Sequence, residues 1–155
     1  MALAVVLVGM LFTVPSGAAP PHTAAAHAGV AQRFLALSTD PRENAKPTIL
    51  AFGGVHAKGV DRQVGPRKDV FVFPDGNLTV RHAPVAHHRH HDPVTCLFTF
   101  RERGTFKITR GTGAYAGARG HGHYHVKVMF VGCRHQPPEP HTFSLTIQAS
   151  GRIHL

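Results

Sequence analysis

The chain has 155 residues, with 17 Lys and Arg against 8 Asp and Glu, a formal charge of +9 and a pI near 10.6. That length suits one domain able to bury a core without a metal staple, and it leaves no room for a second. The charge favours anionic partners such as an envelope polymer, but the basic residues are dispersed and no basic-aromatic alternation or nucleic-acid motif accompanies them, so specific nucleic-acid binding is not expected.

The first segment, Leu3 to Val14, is nearly unbroken apolar and is followed by Pro15, Ser16, Gly17 and a run of small residues. This is the layout of a secretory signal peptide, and it is shorter than the ~20 residues of a membrane-spanning helix. Cleavage after Ala19 or after Ala28 is expected, the latter being the better A-x-A match. No Lys or Arg precedes Arg33, so the usual positive n-region is missing and a few basic residues upstream of the given start are expected. The alternative for this stretch is a buried N-terminal element. On the export reading, 1–28 is leader and linker, and 29–155 is a secreted domain with no transmembrane segment. Cys96 and Cys133 then read as a disulfide, whereas in a reducing compartment they would be two buried thiols.

From Arg33 onward the signal is strands. Arg33–Leu37, Thr48–Phe52, Asp69–Phe73, Asn77–His82, Val94–Arg101, Thr105–Thr109, Gly122–Val131 and Thr142–Ser150 are short runs rich in Val, Ile, Phe and Thr, separated by Gly, Pro, Asp or Asn. Eight such runs and no helical period predict an all-β, single-domain fold of about eight antiparallel strands, a sandwich or a barrel. Pro74-Asp75-Gly76 predicts a hairpin turn, because Pro presets φ and Gly supplies a positive φ. In the last run Phe143, Leu145, Ile147 and Ala149 alternate with polar residues, the pattern of a half-buried strand. The His-rich, Pro-bounded stretch from Ala83 to Pro93 is expected as a loop, as is Arg134 to His141 with its three prolines.

Gly104 to Gly120, and within it Gly111-Thr-Gly113-Ala-Tyr115-Ala-Gly117-Ala118-Arg-Gly120, resembles the strand, turn and strand of the allene oxide cyclase and dirigent-like barrel superfamily. Together with Phe73 to His82 (F-P-D-G-x-L-x-V-x-H) and Asp92 to Cys96 (D-P-x-T-C), it is more closely similar to a group of small exported actinobacterial proteins of that kind. The resemblance implies a barrel with an apolar pocket for a small ligand. The catalytic motifs of the plant enzymes are not found here, so it carries over no catalytic residue. Read physically, Gly111, Gly113 and Gly117 allow backbone angles closed to other residues, Tyr115 folds over the turn, and Gly120 permits close strand approach. No Lys-Ser/Thr pair or helix follows, which excludes a phosphate loop.

Histidine is the compositional anomaly, with 14 in the chain. His121, His123 and His125 alternate on a strand and share one face, so two imidazoles could converge on Zn²⁺ or Cu²⁺; the competing reading is a solvent-facing row continued by Lys127. His87, His88, His90 and His91 flank Arg89, a composition that captures Zn²⁺ or Cu²⁺ loosely or adds cationic charge in acid. No carboxylate pair is marked by spacing as a general acid and base, and His56 and Asp61 are the first suspects if the barrel is an enzyme. The leading expectation is a non-enzymatic exported barrel binding a small apolar ligand or an anionic envelope polymer. The alternatives are a cyclase- or isomerase-like enzyme, or a His-mediated Zn or Cu binder. An enzyme should show a cavity lined by a buried ionisable group, and a binder mainly apolar walls.

Overall fold

In the computed structural model, residues 29–42, 45–133 and 142–155 are described. The expected leader (1–28) and the Pro-rich loop (134–141) lie outside them. Eight strands run in chain order: β1 Val30–Ser38, β2 Thr48–Gly53, β3 Ala57–Gly65, β4 Lys68–Phe73, β5 Gly76–Asp92, β6 Leu97–Gly111, β7 Arg119–Val131 and β8 Thr142–His154. Each pairs antiparallel with its sequence neighbour, and β8 pairs back onto β1, which closes the barrel. Among the described residues no helix is long and apolar enough to cross a membrane.

The period-two pattern decides what faces inward. Phe34 and Ala36 on β1, Ile49 and Ala51 on β2, Phe71 and Phe73 on β4, Leu78 and Val80 on β5, Phe106 and Ile108 on β6, and Ile153 on β8 form one buried core. Burying each large side chain of this kind contributes about 1.5–3 kcal/mol, the main force closing the sheet.

One end of the barrel is sealed. A single 3-10 turn, Gly113–Tyr115, sits between β6 and β7, and the Tyr115 ring meets Phe73 edge-on with centroids 6.0 Å apart. Ala114 N–H donates to the Asp75 carbonyl and Thr112 N–H to the Asn77 carbonyl, so this turn is bolted to the β4–β5 hairpin. Gly113 (φ +59°) and Gly117 (φ +86°) sit in the left-handed region, as expected. Gly111 serves differently: its φ is not positive, but a Cβ there would strike the Tyr115 carbonyl and the Ala118 methyl. Gly120 likewise abuts the Arg152 carbonyl on β8. At the same end the buried Gln32 amide donates to the Val55 carbonyl at 3.1 Å and accepts from Val55 N–H at 2.8 Å, fixing the β2–β3 turn.

At the other end the strands differ in length. β5, with 17 residues, and β6, with 15, outrun β2 and β4, with 6 each. β5 to β8 therefore rise past the rim as a four-stranded sheet. Cys96 and Cys133 form a disulfide near its tip, with Cα atoms 5.2 Å apart, beside the Leu97–Val131 pair.

Three sequence expectations are corrected here. The His-rich stretch after Ala83 is not a loop but the upper half of β5, paired to β6 as far as Asp92–Leu97. The runs Val94–Arg101 and Thr105–Thr109 are not two strands: Leu97–Gly111 is one, running through Gly104, where Tyr124 and the Ala83 carbonyl leave no space for a Cβ. The eighth strand is β3, which propensity did not mark because Ala-Lys-Gly-Val-Asp-Arg-Gln-Val-Gly is poor in strand formers.

Candidate active site

Below the open rim is a cavity of about 80 Å³. Phe34, Phe71, Val80, Phe106, Val126, Ile147 and Ala149 make its apolar walls, and Asp61, Asp69, His82, Glu102 and Tyr124 bring ionisable groups into it. Strand parity puts them there. Asp69 is in phase with Phe71 and Phe73, His82 with Leu78 and Val80, and Tyr124 with Gly122, so each follows its apolar neighbours inward. Asp61 lies opposite Phe71 in the β3–β4 register.

Asp61 is 7% exposed, and its Oδ1 has no hydrogen-bond partner. Burial, and secondarily the negative charge of Asp69, raise its pKa from 3.8 to about 7. An isolated carboxylate in an apolar wall is costly, and holding the proton avoids that cost. The Asp69 carboxyl is also raised by burial, against the pull of His82, whose Nε2 lies 3.3 Å from Asp69 Oδ2. His82 Nδ1 is buried and unpartnered, and its ring meets Tyr124 edge-on at 5.7 Å. Tyr124 Oη donates to Glu102 Oε1 at 2.8 Å. Burial first, and then this bond to Glu102, push the phenol above its ordinary range, so it stays a donor.

The cavity thus holds a protonated carboxyl near neutrality, a carboxylate–imidazole pair and a phenol–carboxylate pair. Carboxyl groups with raised pKa beside an imidazole can deliver and remove protons near pH 7. Above them the sheet extension continues the inner face: Phe98 stacks on Phe130 at 4.6 Å, His87 on Phe100 at 6.3 Å, and the Arg89 guanidinium lies 5.6 Å from the Phe100 centroid. Phe98, Phe100, Val128, Phe130 and Leu145 there are only half-buried, which makes an apolar platform leading down to the cavity.

Of the sequence suspects, Asp61 is in the cavity, whereas His56 is exposed on the outside against Phe52, with ring centroids 6.0 Å apart. The two are not brought together. His121, His123 and His125 stand exposed on the outer face of β7 with Lys127. His87, His88, His90 and His91 do not cluster either. As residues of a strand they alternate, His87 and His91 following Glu102 and Phe98 on the inner face and His88 and His90 facing out. Among the described residues no group of three or more His, Cys, Asp or Glu is arranged to hold a metal ion. Spacing did not single out Asp69, His82, Glu102 or Tyr124. Their phase with the neighbouring apolar residues was the available signal.

No protein-family model, curated protein or solved structure matches the chain.

Proposed function

We propose that the protein is an exported barrel that admits the reacting end of a small, mostly apolar molecule through its open rim and transfers protons on it, an isomerase- or cyclase-type activity. The observation that carries this reading is the buried Asp61 carboxyl, its Oδ1 without a hydrogen-bond partner and its pKa raised to about 7, beside the Asp69–His82 pair. A pure binder of apolar ligands has no use for five ionisable side chains around so small a void. Asp61 gives its proton to a carbonyl or alkene of the ligand, and the Asp69–His82 pair accepts one from the adjacent carbon. Tyr124, held by Glu102, orients the polar end.

The cavity is below the ~300 Å³ of ordinary small-molecule sites. A larger ligand therefore keeps its apolar remainder on the Phe98–Phe130 platform. The short apolar N-terminal segment and the Cys96–Cys133 disulfide support export. The glycine-rich turn that plugs the barrel supports the kinship with the allene oxide cyclase and dirigent-like superfamily.

The test is deuterium exchange at the α-carbon of butanone in heavy water, followed by NMR. Exchange should run faster with the protein than in buffer and fall to the buffer rate in Asp61→Asn and Asp69→Asn. Equal rates for the wild type, the variants and buffer would remove the catalytic reading.

A further inference from the structure

The back of the same sheet carries a second feature that the cavity does not use. On the outer face of β7, His121, His123, His125 and Lys127 follow one another at every second residue, all exposed. The register places Lys107 opposite His121, Arg103 opposite His125, and Arg101 opposite Lys127. β8 adds Arg152 opposite His121, and β5 adds His88 opposite Arg101. Like charges directly opposite one another on a sheet repel, and here basic side chains face one another in three rungs, Lys107–His121, Arg103–His125 and Arg101–Lys127, with Thr105–His123 among them. Among the described residues no carboxylate pairs with these cations: the Glu102 carboxylate accepts from the Tyr124 hydroxyl, and Arg101, Arg103 and Lys127 have no ion pair. A bulge between Pro84 and Ala86 breaks the β5–β6 register beside this face. There a groove of about 410 Å³ is bordered by His88, Arg101, Arg103, His125 and Lys127, with Thr146 and Gln148 on its β8 side; Glu102 also lines it, its carboxylate engaged by the Tyr124 hydroxyl.

We infer that this face is a binding site for a linear polyanion, specifically a polyol-phosphate chain of the phosphodiester type. Same-face residues on a strand are about 6.7 Å apart, close to the separation of successive phosphates in an extended phosphodiester chain. A strand-parallel polymer therefore meets at least one basic side chain at each rung from Lys107–His121 through Thr105–His123 and Arg103–His125 to Arg101–Lys127, a run of about 20 Å. Bases are not read here. The remaining outer positions of β6 and β7 here are Thr105, opposite His123, and Thr99 and Met129, just beyond the Arg101–Lys127 rung, with no aromatic ring on which a base could stack. The chemistry is that of phosphates met by guanidinium, ammonium and imidazole N–H donors, with the Thr146 hydroxyl and Gln148 amide able to meet the polyol.

The test measures binding of purified poly(glycerol phosphate) by fluorescence anisotropy over a series of salt concentrations, using the whole folded protein. Arg101→Gln with Lys127→Gln should weaken binding about tenfold and lower the log–log salt slope by about 1.4, the value for two lost phosphate contacts. Removing opposed cations relieves repulsion, so this variant folds, which circular dichroism verifies. The control carries the same charge loss on β3, Lys58→Gln with Arg62→Gln, and should change affinity less than about twofold. Equal loss in both variants would reduce the effect to net charge and overturn the site. An oligodeoxythymidine of equal phosphate number binding more tightly than the polyol phosphate would overturn the ligand class. Because the cavity lies on the opposite face, Asp61→Asn should leave this binding unchanged.

Discussion

Replacing Asp61 by Asn isolates the energetic cost of the candidate site. In the unfolded chain the carboxyl titrates near 3.8, and in the folded barrel near 7. Because the folded value is the higher one, the native state holds the proton more tightly. The associated stability is fully present below pH 3.8 and is lost progressively as pH rises through about 7. At ~1.4 kcal/mol per pH unit that interval corresponds to about 4 kcal/mol, an upper bound because the open rim lets water relax the charge. Asn has nearly the same shape and never ionises. Urea unfolding followed by far-ultraviolet circular dichroism should give wild type and Asp61→Asn similar stabilities at about pH 3, and the variant should be more stable by about 2–4 kcal/mol at about pH 8.5. Asp69, His82, Glu102 and Tyr124 face the same cavity; their titration is common to both proteins and largely cancels in the difference. Parallel pH profiles for the two proteins would refute the burial argument, and with it the proton-transfer reading.

Other consequences follow from the same geometry. Tyr124→Phe deletes the donor to Glu102 and leaves a half-buried carboxylate short of a partner, so it should cost about 1–3 kcal/mol in denaturant unfolding. Gly111→Ala drives a methyl into the Tyr115 carbonyl and should destabilise by more than 2 kcal/mol, roughly the scale of a backbone clash in a well-packed site, whereas Gly117→Ala meets no atom and pays only its positive φ, about 1 kcal/mol. Cys96→Ser with Cys133→Ser opens a 37-residue loop, worth about 3–4 kcal/mol on the chain-entropy argument. Hydrogen exchange in that variant should rise first at the tip, around Leu97 and Val131, before the Phe34–Phe106 core loosens.

The parts of the fold legible in the sequence were those where side-chain alternation and turn chemistry agree. β8 is in phase from Phe143 to Ala149, and Pro74-Asp75-Gly76 makes its hairpin with Gly76 at φ +155°. Cys96 and Cys133 are joined, as their number suggested. β3 and the upper half of β5 broke the pattern, each for a physical reason. In β3, Gly59 is required because Val72 and Phe73 come too close for a Cβ, and Asp61 takes an inward position that propensity reserves for an apolar residue. In β5, Pro84 and the histidines are weak strand formers, tolerated because β4 pairs only as far as Lys68–Arg81 and leaves this half an edge. Local rules fail where a sequence gives up stability for something else, and functional sites are the commonest such place. By that reasoning β3 and the upper half of β5 are informative: one presents a buried carboxyl to the cavity, and the other carries the platform's Arg89 on its inner face and the groove's His88 on its outer face. A neutral, apolar residue at position 61 would make the barrel more stable at neutral pH, and the acid that stands there instead is the group on which the proposed proton transfer depends.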